Sequence, residues 1–345
     1  MSDTIKIIKP DDWHCHLRDG DYLSRTVSDT AAQFGRAVVM PNLVPPITNL
    51  ERVESYRQRI LKKIPVGSSF QPLMTLYLTD NTSPSDLRLG KSNNLIIGCK
   101  LYPAGATTHS EAGVKRLAAI YPLLEVMEEI DLPLQIHGEV THDQVDVFHR
   151  EQIFIDSELE PMVSKFPKLR VVLEHISTQY AVDFITSCRK QVAATITPHH
   201  LLLNRNHLLV GGIHPHYYCL PILKRREDQE ALIKVAISGH SKFFLGTDSA
   251  PHAQNRKESN CGCAGIYSAH AAIELYCQVF DQNNALDQLE NFSSINGPNF
   301  YQLPINQELI TLIRQPKEVP KELNFGEEKL IPLFAGKEID WQVQC

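Results

Sequence analysis

Long apolar runs are missing from this sequence. No stretch approaches the roughly 18–20 consecutive apolar residues that a membrane-spanning helix needs. The opening residues, MSDTIKIIKPDDWH, hold no apolar segment of the kind an export signal carries, so none is expected here. Clustered cysteine is missing too. Eight cysteines in 345 residues, irregularly spaced, do not form the disulfide framework of a small secreted domain. They read as reduced thiols, and the chain as a cytoplasmic protein with no membrane partner. Excess positive charge is also absent. The net charge of -6 argues against a nucleic-acid partner. The short basic triplet Lys224-Arg225-Arg226 is followed by acids and reads as the solvated start of a helix. No low-complexity segment is found.

What is present is alternation. Short apolar, β-branched runs at 13–17, 37–40, 71–78, 96–101, 132–136, 169–173, 192–197 and 243–246 predict eight strands. Helical patterns lie between them, as at 49–64, 122–130 and 227–238, the last stopped by Gly239. Eight strand–helix repeats in this length predict a (β/α)8 barrel of the TIM type. A doubly wound open sheet is the weaker alternative, because no glycine-rich phosphate fingerprint follows the first strand. After Gly297 the pattern changes, and Pro298, Pro304, Pro316, Pro320 and Pro332 interrupt what remains. Residues 1–345 are therefore expected to form one barrel domain, with 298–345 packed on it as an irregular extension.

The unusual residues fall at the strand ends. PDDWHCHLRDG puts His14, His16 and Arg18 at alternate positions. On a strand these share one face, and Trp13, Cys15 and Leu17 take the other. Asn42 follows the second strand, and Lys100 ends the fourth. His137 ends the fifth, His175 the sixth and Asp248 the eighth, with His252 just beyond. In a (β/α)8 barrel these ends converge on one mouth. Singly, each has a bland reading: a satisfied core histidine, a turn-forming aspartate, a snorkelling lysine. Together, four histidines and an aspartate are a donor set for zinc and its first-row neighbours. They exceed the three protein ligands of a single catalytic zinc and suggest two metals. Two close cations need an anionic bridge, and Lys100 as an ammonium would be repelled by them and costly to bury. The residues alone leave Lys100 unexplained.

DDWHCHLRDG, VVMPNLVPP, KLYPAGATT, LPLQIHGEVT, LEHIST, TPHHLLLNRN, LGTDSAPH and CGCAGIY together resemble the amidohydrolase superfamily. Within it they are similar to the shorter, single-domain bacterial dihydroorotases, over nearly the whole chain. The resemblance implies reversible cyclisation of N-carbamoyl-L-aspartate to L-dihydroorotate, in pyrimidine biosynthesis. It implies two divalent metal ions, zinc first among them, and a CO₂-derived carbamate on Lys100. His14, His16 and Asp248 would hold one ion, and His137 and His175 the other. Carboxylated Lys100 and a hydroxide would bridge them, with Asp248 as the catalytic base and acid. Arg18, Asn42 and His252 would hold the substrate carboxylate. Backbone at Leu220 and Ala264 would meet the ring, and Thr107 and Thr108 would lie in a loop that folds over it. A homodimer is implied as well.

One departure from the family pattern is Gly105, which frees the loop in KLYPAGATT. Cys261-Gly-Cys263 reads as part of a substrate-facing loop sooner than as a structural zinc motif, for want of a second cysteine pair. His199 and His200 read as structural or outer polar residues. His214 and His216 are given no chemistry. The nearest rival is a hydantoinase or dihydropyrimidinase with the same metal set, against which Arg18 and Asn42 speak. A mononuclear deaminase has no use for a carboxylated Lys100. A non-catalytic scaffold should have lost ligands.

Overall fold

The computed structural model describes residues 3–260 and 262–344. A first strand, β1 (Thr4–Ile8), precedes the barrel. The barrel strands follow in chain order: β2 (Asp11–Cys15), β3 (Arg36–Val39), β4 (Gln71–Tyr77), β5 (Gly98–Leu101), β6 (Leu134–His137), β7 (Val171–Glu174), β8 (Val192–Ile196) and β9 (Phe243–Leu245). Each pairs in parallel with the next. All eight lie within two residues of the runs expected from sequence. The sheet closes at its mouth, where the Asp248 N–H donates to His14 O (2.8 Å) and the His16 N–H to Ser249 O (3.0 Å).

Helices cover the outside. In Leu23–Gln33 the buried set includes Leu23, Val27, Thr30 and Ala31, one stripe at helical spacing. Asn49 caps Leu50–Leu61 by accepting from the Arg52 N–H at 2.9 Å. These faces pack on outward strand residues such as Cys15, Val39, Leu101 and Leu173 in the main core. Cys15 therefore points away from the mouth, as its spacing from His14 and His16 requires.

Strand alternation fails at Trp13. Asp12 pairs with Ala37 and Cys15 with Val39, so Trp13 and His14 together oppose Val38 alone. This is a β-bulge, and it re-aims one side chain. Trp13 turns into the barrel with Val38, Val172 and Phe244, and stacks on Tyr301 at 4.5 Å between ring centroids. It forms the barrel floor beneath His14. The Gly297 backbone lies so close that any Cβ there would overlap the Trp13 indole nitrogen.

The proline-broken C-terminal segment is more regular than expected. It contributes β10 (Leu309–Glu318), a hairpin of β11 (Leu323–Phe325) and β12 (Glu328–Leu330), and β13 (Glu338–Val343). β10 pairs antiparallel with both β1 and β13, so the two chain ends share one sheet. Pro316 escapes the usual exclusion from strands because it sits in the register shift between Arg314 and Lys317. In β13, Ile339 and Trp341 alternate inward, and the Trp341 indole N–H donates to Asp281.

Candidate metal centre

The residues singled out in the sequence converge at the mouth. A small cavity of about 20 Å³ is lined by His14, His16, Arg18, Asn42, Thr107, Thr108, His137, His175, Leu220, Asp248 and Ala264, with Tyr102 and Gly265 among the other neighbours. Lys100 is fully buried nearby, its Nζ 5.1 Å from the centre of the Tyr102 ring. His252 lies one step outward. With Arg18, Asn42 and His109 it lines a larger cavity of about 400 Å³ that opens to solvent.

Three of these residues reach the mouth through left-handed backbone. Arg18, His175 and Asp248 have φ of +58°, +42° and +44°. Residues other than glycine rarely adopt this conformation, and it gathers at functional sites. The extended face drawn through His14, His16 and Arg18 therefore does not hold. β2 ends at Cys15, and a turn, not strand alternation, brings Arg18 to the site. Buried Asp12 ties this corner together by accepting from the Thr247 N–H (2.9 Å), the Thr247 hydroxyl (2.6 Å) and the His14 N–H (3.1 Å).

The rings are closely gathered. His14 lies 5.3 Å from His16 and 5.0 Å from His175, and His137 lies 4.8 Å from His175, between centroids. Donor atoms of His14, His16 and Asp248 all fall within 4.8 Å of one another. Burial lowers the pKa of His16 to about 4, and lowers those of His137 and His175 as well. Neutral imidazole is the metal-binding form.

Three observations show that these residues fit a metal. Asn42 donates from Nδ2 to Thr108 O (3.2 Å), which turns its Oδ1 toward His16 Nδ1 at 2.8 Å. His16 then donates from Nδ1, and its bare Nε2 faces Asp248 Oδ1 at 3.0 Å. Two lone pairs meet there, a contact that a cation relieves. Second, His175 Nδ1 and Lys100 Nζ are buried without hydrogen-bond partners. Third, two histidines have carboxylates behind them. His137 Nε2 lies 2.9 Å from Glu139 Oε2, and His14 Nδ1 lies 3.0 Å from Glu174 Oε2. Carboxylates so placed orient metal-bound imidazoles.

Glu139 and Glu174 were not singled out in the sequence, although HGE and EHI display them beside their histidines. His109 and Lys257 were missed too. The loop carrying Thr107 and Thr108 is held shut: Thr108 Oγ1 donates to Ala264 O (3.4 Å), and Ser110 bonds both ways to Thr107. Gly105 has φ of +78°, so glycine there meets a backbone requirement and is more than a gain in freedom.

The remaining motifs resolve as follows. His200 is fully engaged, with Thr197 Oγ1 at 2.8 Å from Nδ1 and Pro221 O at 3.0 Å from Nε2. His199 is buried without a hydrogen bond, and His199, His200 and Cys219 lie close together. A metal there would have to break a satisfied His200 bond. His216 pairs with Glu258 at the surface. Cys261 lies outside the described residues. Lys224 departs from expectation: it is buried and donates to Ile222 O, while solvated residues follow it.

Inward histidines, a buried lysine and an aspartate at the ends of parallel barrel strands are the donor set of a metal-assisted hydrolase. The chain belongs to the amidohydrolase family, whose pattern matches residues 5–317. Its similarity narrows to the dihydroorotases. The dihydroorotase of Coxiella burnetii (strain RSA 331 / Henzerling II) is 60% identical over 340 residues, covering 99% of this chain and 98% of that protein. The crystal structure of dihydroorotase from Campylobacter jejuni superposes with a TM-score of 0.92 at 36% identity, covering 100% of this chain and 98% of that one. The dihydroorotase of Saccharomyces cerevisiae, solved with 5-fluoroorotic acid, gives 0.90 at 34% identity, covering 99% and 98%. No helix among the described residues is long and apolar enough to cross a membrane.

Proposed function

We propose that this enzyme interconverts N-carbamoyl-L-aspartate and L-dihydroorotate. The observation that carries the reading is Arg18 at the rim of the metal cavity, beside Asn42 and His252. Its Nε donates to Pro251 O at 2.9 Å and a terminal nitrogen lies 3.0 Å from His252 Nε2, which together fix the guanidinium plane at the rim. Guanidinium is the preferred partner of a carboxylate. Dihydroorotate carries a ring carboxylate, whereas hydantoin and dihydrouracil do not. The ligand of the yeast relative, 5-fluoroorotic acid, is a carboxylate-bearing pyrimidine as well.

His14, His16 and Asp248 would hold one divalent ion, zinc by preference, and His137 and His175 the second. Lys100 carboxylated by CO₂ would bridge them, which turns a costly buried cation into an anion. When bound, such a pair supplies Lewis-acid polarisation of the amide carbonyl and a lowered pKa for water. The chain's own groups do the rest. In hydrolysis Asp248 takes a proton from the attacking water and passes it to the leaving ring nitrogen. In cyclisation it accepts the ureido proton. Arg18, Asn42 and His252 orient the substrate by its carboxylate, while backbone at Leu220 and Ala264 meets the ring. Thr107 and Thr108 close over it. The 20 Å³ cavity has room for about one water, so this loop must open to admit substrate. A homodimer is the assembly we infer.

A steady-state comparison of dihydroorotate, hydantoin and dihydrouracil hydrolysis tests the reading. Dihydroorotate is expected to give much the highest kcat/KM. A preference for either ring without a carboxylate would overturn it.

A further inference from the structure

Lys257 ends the short helix Gln254–Lys257 and is only 4% exposed. Its ammonium has three donors and uses all of them on backbone: Tyr218 O at 2.9 Å, Cys263 O at 3.0 Å and Gly265 O at 2.5 Å. No carboxylate pairs with it among the described residues. A buried ammonium without a counter-ion costs free energy, so a neutral residue would serve better if filling space were the only task.

The three carbonyls belong to two separate loops. Tyr218 is two residues from Leu220, and Cys263 and Gly265 flank Ala264. A direct bond from the Gly265 N–H to Tyr218 O (3.0 Å) joins the same loops. On the far side, His200 Nε2 lies 3.0 Å from Pro221 O, which fixes the other end of the Leu220 segment. Leu220 and Ala264 both line the small cavity.

We propose that Lys257 is a positioning residue for substrate: its ammonium sets the spacing of the Leu220 and Ala264 backbones that grip the ring. This rests on the substrate reading above.

The test uses the metal-loaded enzyme and its Lys257→Met and Lys257→Gln variants, with metal content and thermal midpoint measured beside KM and kcat for dihydroorotate. Met keeps the length of the side chain and removes all three donors, while Gln keeps a shorter amide donor. KM is expected to rise about tenfold or more in Lys257→Met, and less in Lys257→Gln, with kcat falling far less and metal content unchanged. An unchanged KM in a folded, metal-replete variant would overturn the proposal. So would a loss confined to thermal midpoint, because a purely structural lysine leaves KM alone. If Lys257→Met does not fold, the KM of Lys257→Gln decides by the same criterion. Failure of the wild-type enzyme to hydrolyse dihydroorotate would strike the substrate reading itself, whereas normal wild-type turnover with an unmoved variant KM strikes only Lys257.

Discussion

His16 and Asp248 stand 232 positions apart in the chain and meet with Nε2 3.0 Å from Oδ1. Because Asn42 Oδ1 claims the Nδ1 proton and burial keeps the ring neutral, two acceptors face each other. The contact makes sense with a cation between them. It also places Asp248 where one carboxylate can ligate and still exchange a proton. Asp248→Ala should therefore lower turnover by about 100- to 10,000-fold in both directions, even in preparations where metal is still bound. Near-normal rates in metal-replete variant would remove Asp248 as the proton carrier.

Lys100 gives a pH dependence with a definite sign. Burial lowers the pKa of its ammonium to about 8, while Glu174 and Asp248 oppose the shift. Only the neutral amine can attack CO₂, and below the pKa its fraction rises tenfold per pH unit. Metal-stripped enzyme given zinc and a fixed concentration of dissolved CO₂ should thus reactivate faster as pH rises, levelling off above about 8. A rate independent of pH between 6 and 8 would contradict carboxylation of this amine. Lys100→Ala should fail to recover either activity or full metal content at any pH.

Glu139 is fully buried behind His137 and bonds its Nε2 at 2.9 Å. That bond sets which ring nitrogen faces the cavity. Glu139→Gln should weaken metal binding by about 10- to 100-fold, read by competition with a chelating dye. Unaltered affinity would leave Glu139 a packing residue.

The barrel floor is the place to test the fold. Trp13 is fully buried, stacked on Tyr301 and pressed against the Gly297 backbone. Trp13→Ala should cost about 3–5 kcal/mol in urea unfolding. A cost under about 1 kcal/mol would mean that the bulged strand repacks without it.

Much of this is legible in the sequence. The eight strands announce themselves because parallel strands covered on both faces are nearly all apolar, as in Val192–Ile196. The histidines stand out because four of them, with Lys100 and Asp248, fall at strand ends, and in a barrel those ends share one mouth. Trp13 faces inward against its alternation with Cys15 and Leu17, because a bulge adds a residue without leaving a composition signal. Arg18 reaches the site through positive φ, which no alternation pattern encodes. The strand of the C-terminal sheet that holds Pro316 was hidden because prolines read as breaks wherever a bulge cannot be foreseen. Lys257 was invisible for a different reason: its partners are main-chain carbonyls, and those have no signature in the sequence.

The most direct measurement is synthesis. Purified, zinc-loaded enzyme is incubated with N-carbamoyl-L-aspartate at mildly acidic pH, and ring formation is followed by absorbance, with the D-enantiomer as control. Dihydroorotate should accumulate from the L-form alone and should cease to form when Arg18 is replaced by Met. No ring closure from the L-form, or equal rates from both enantiomers, would contradict the assignment of Arg18, Asn42 and His252 as the carboxylate receptor of a cyclising enzyme.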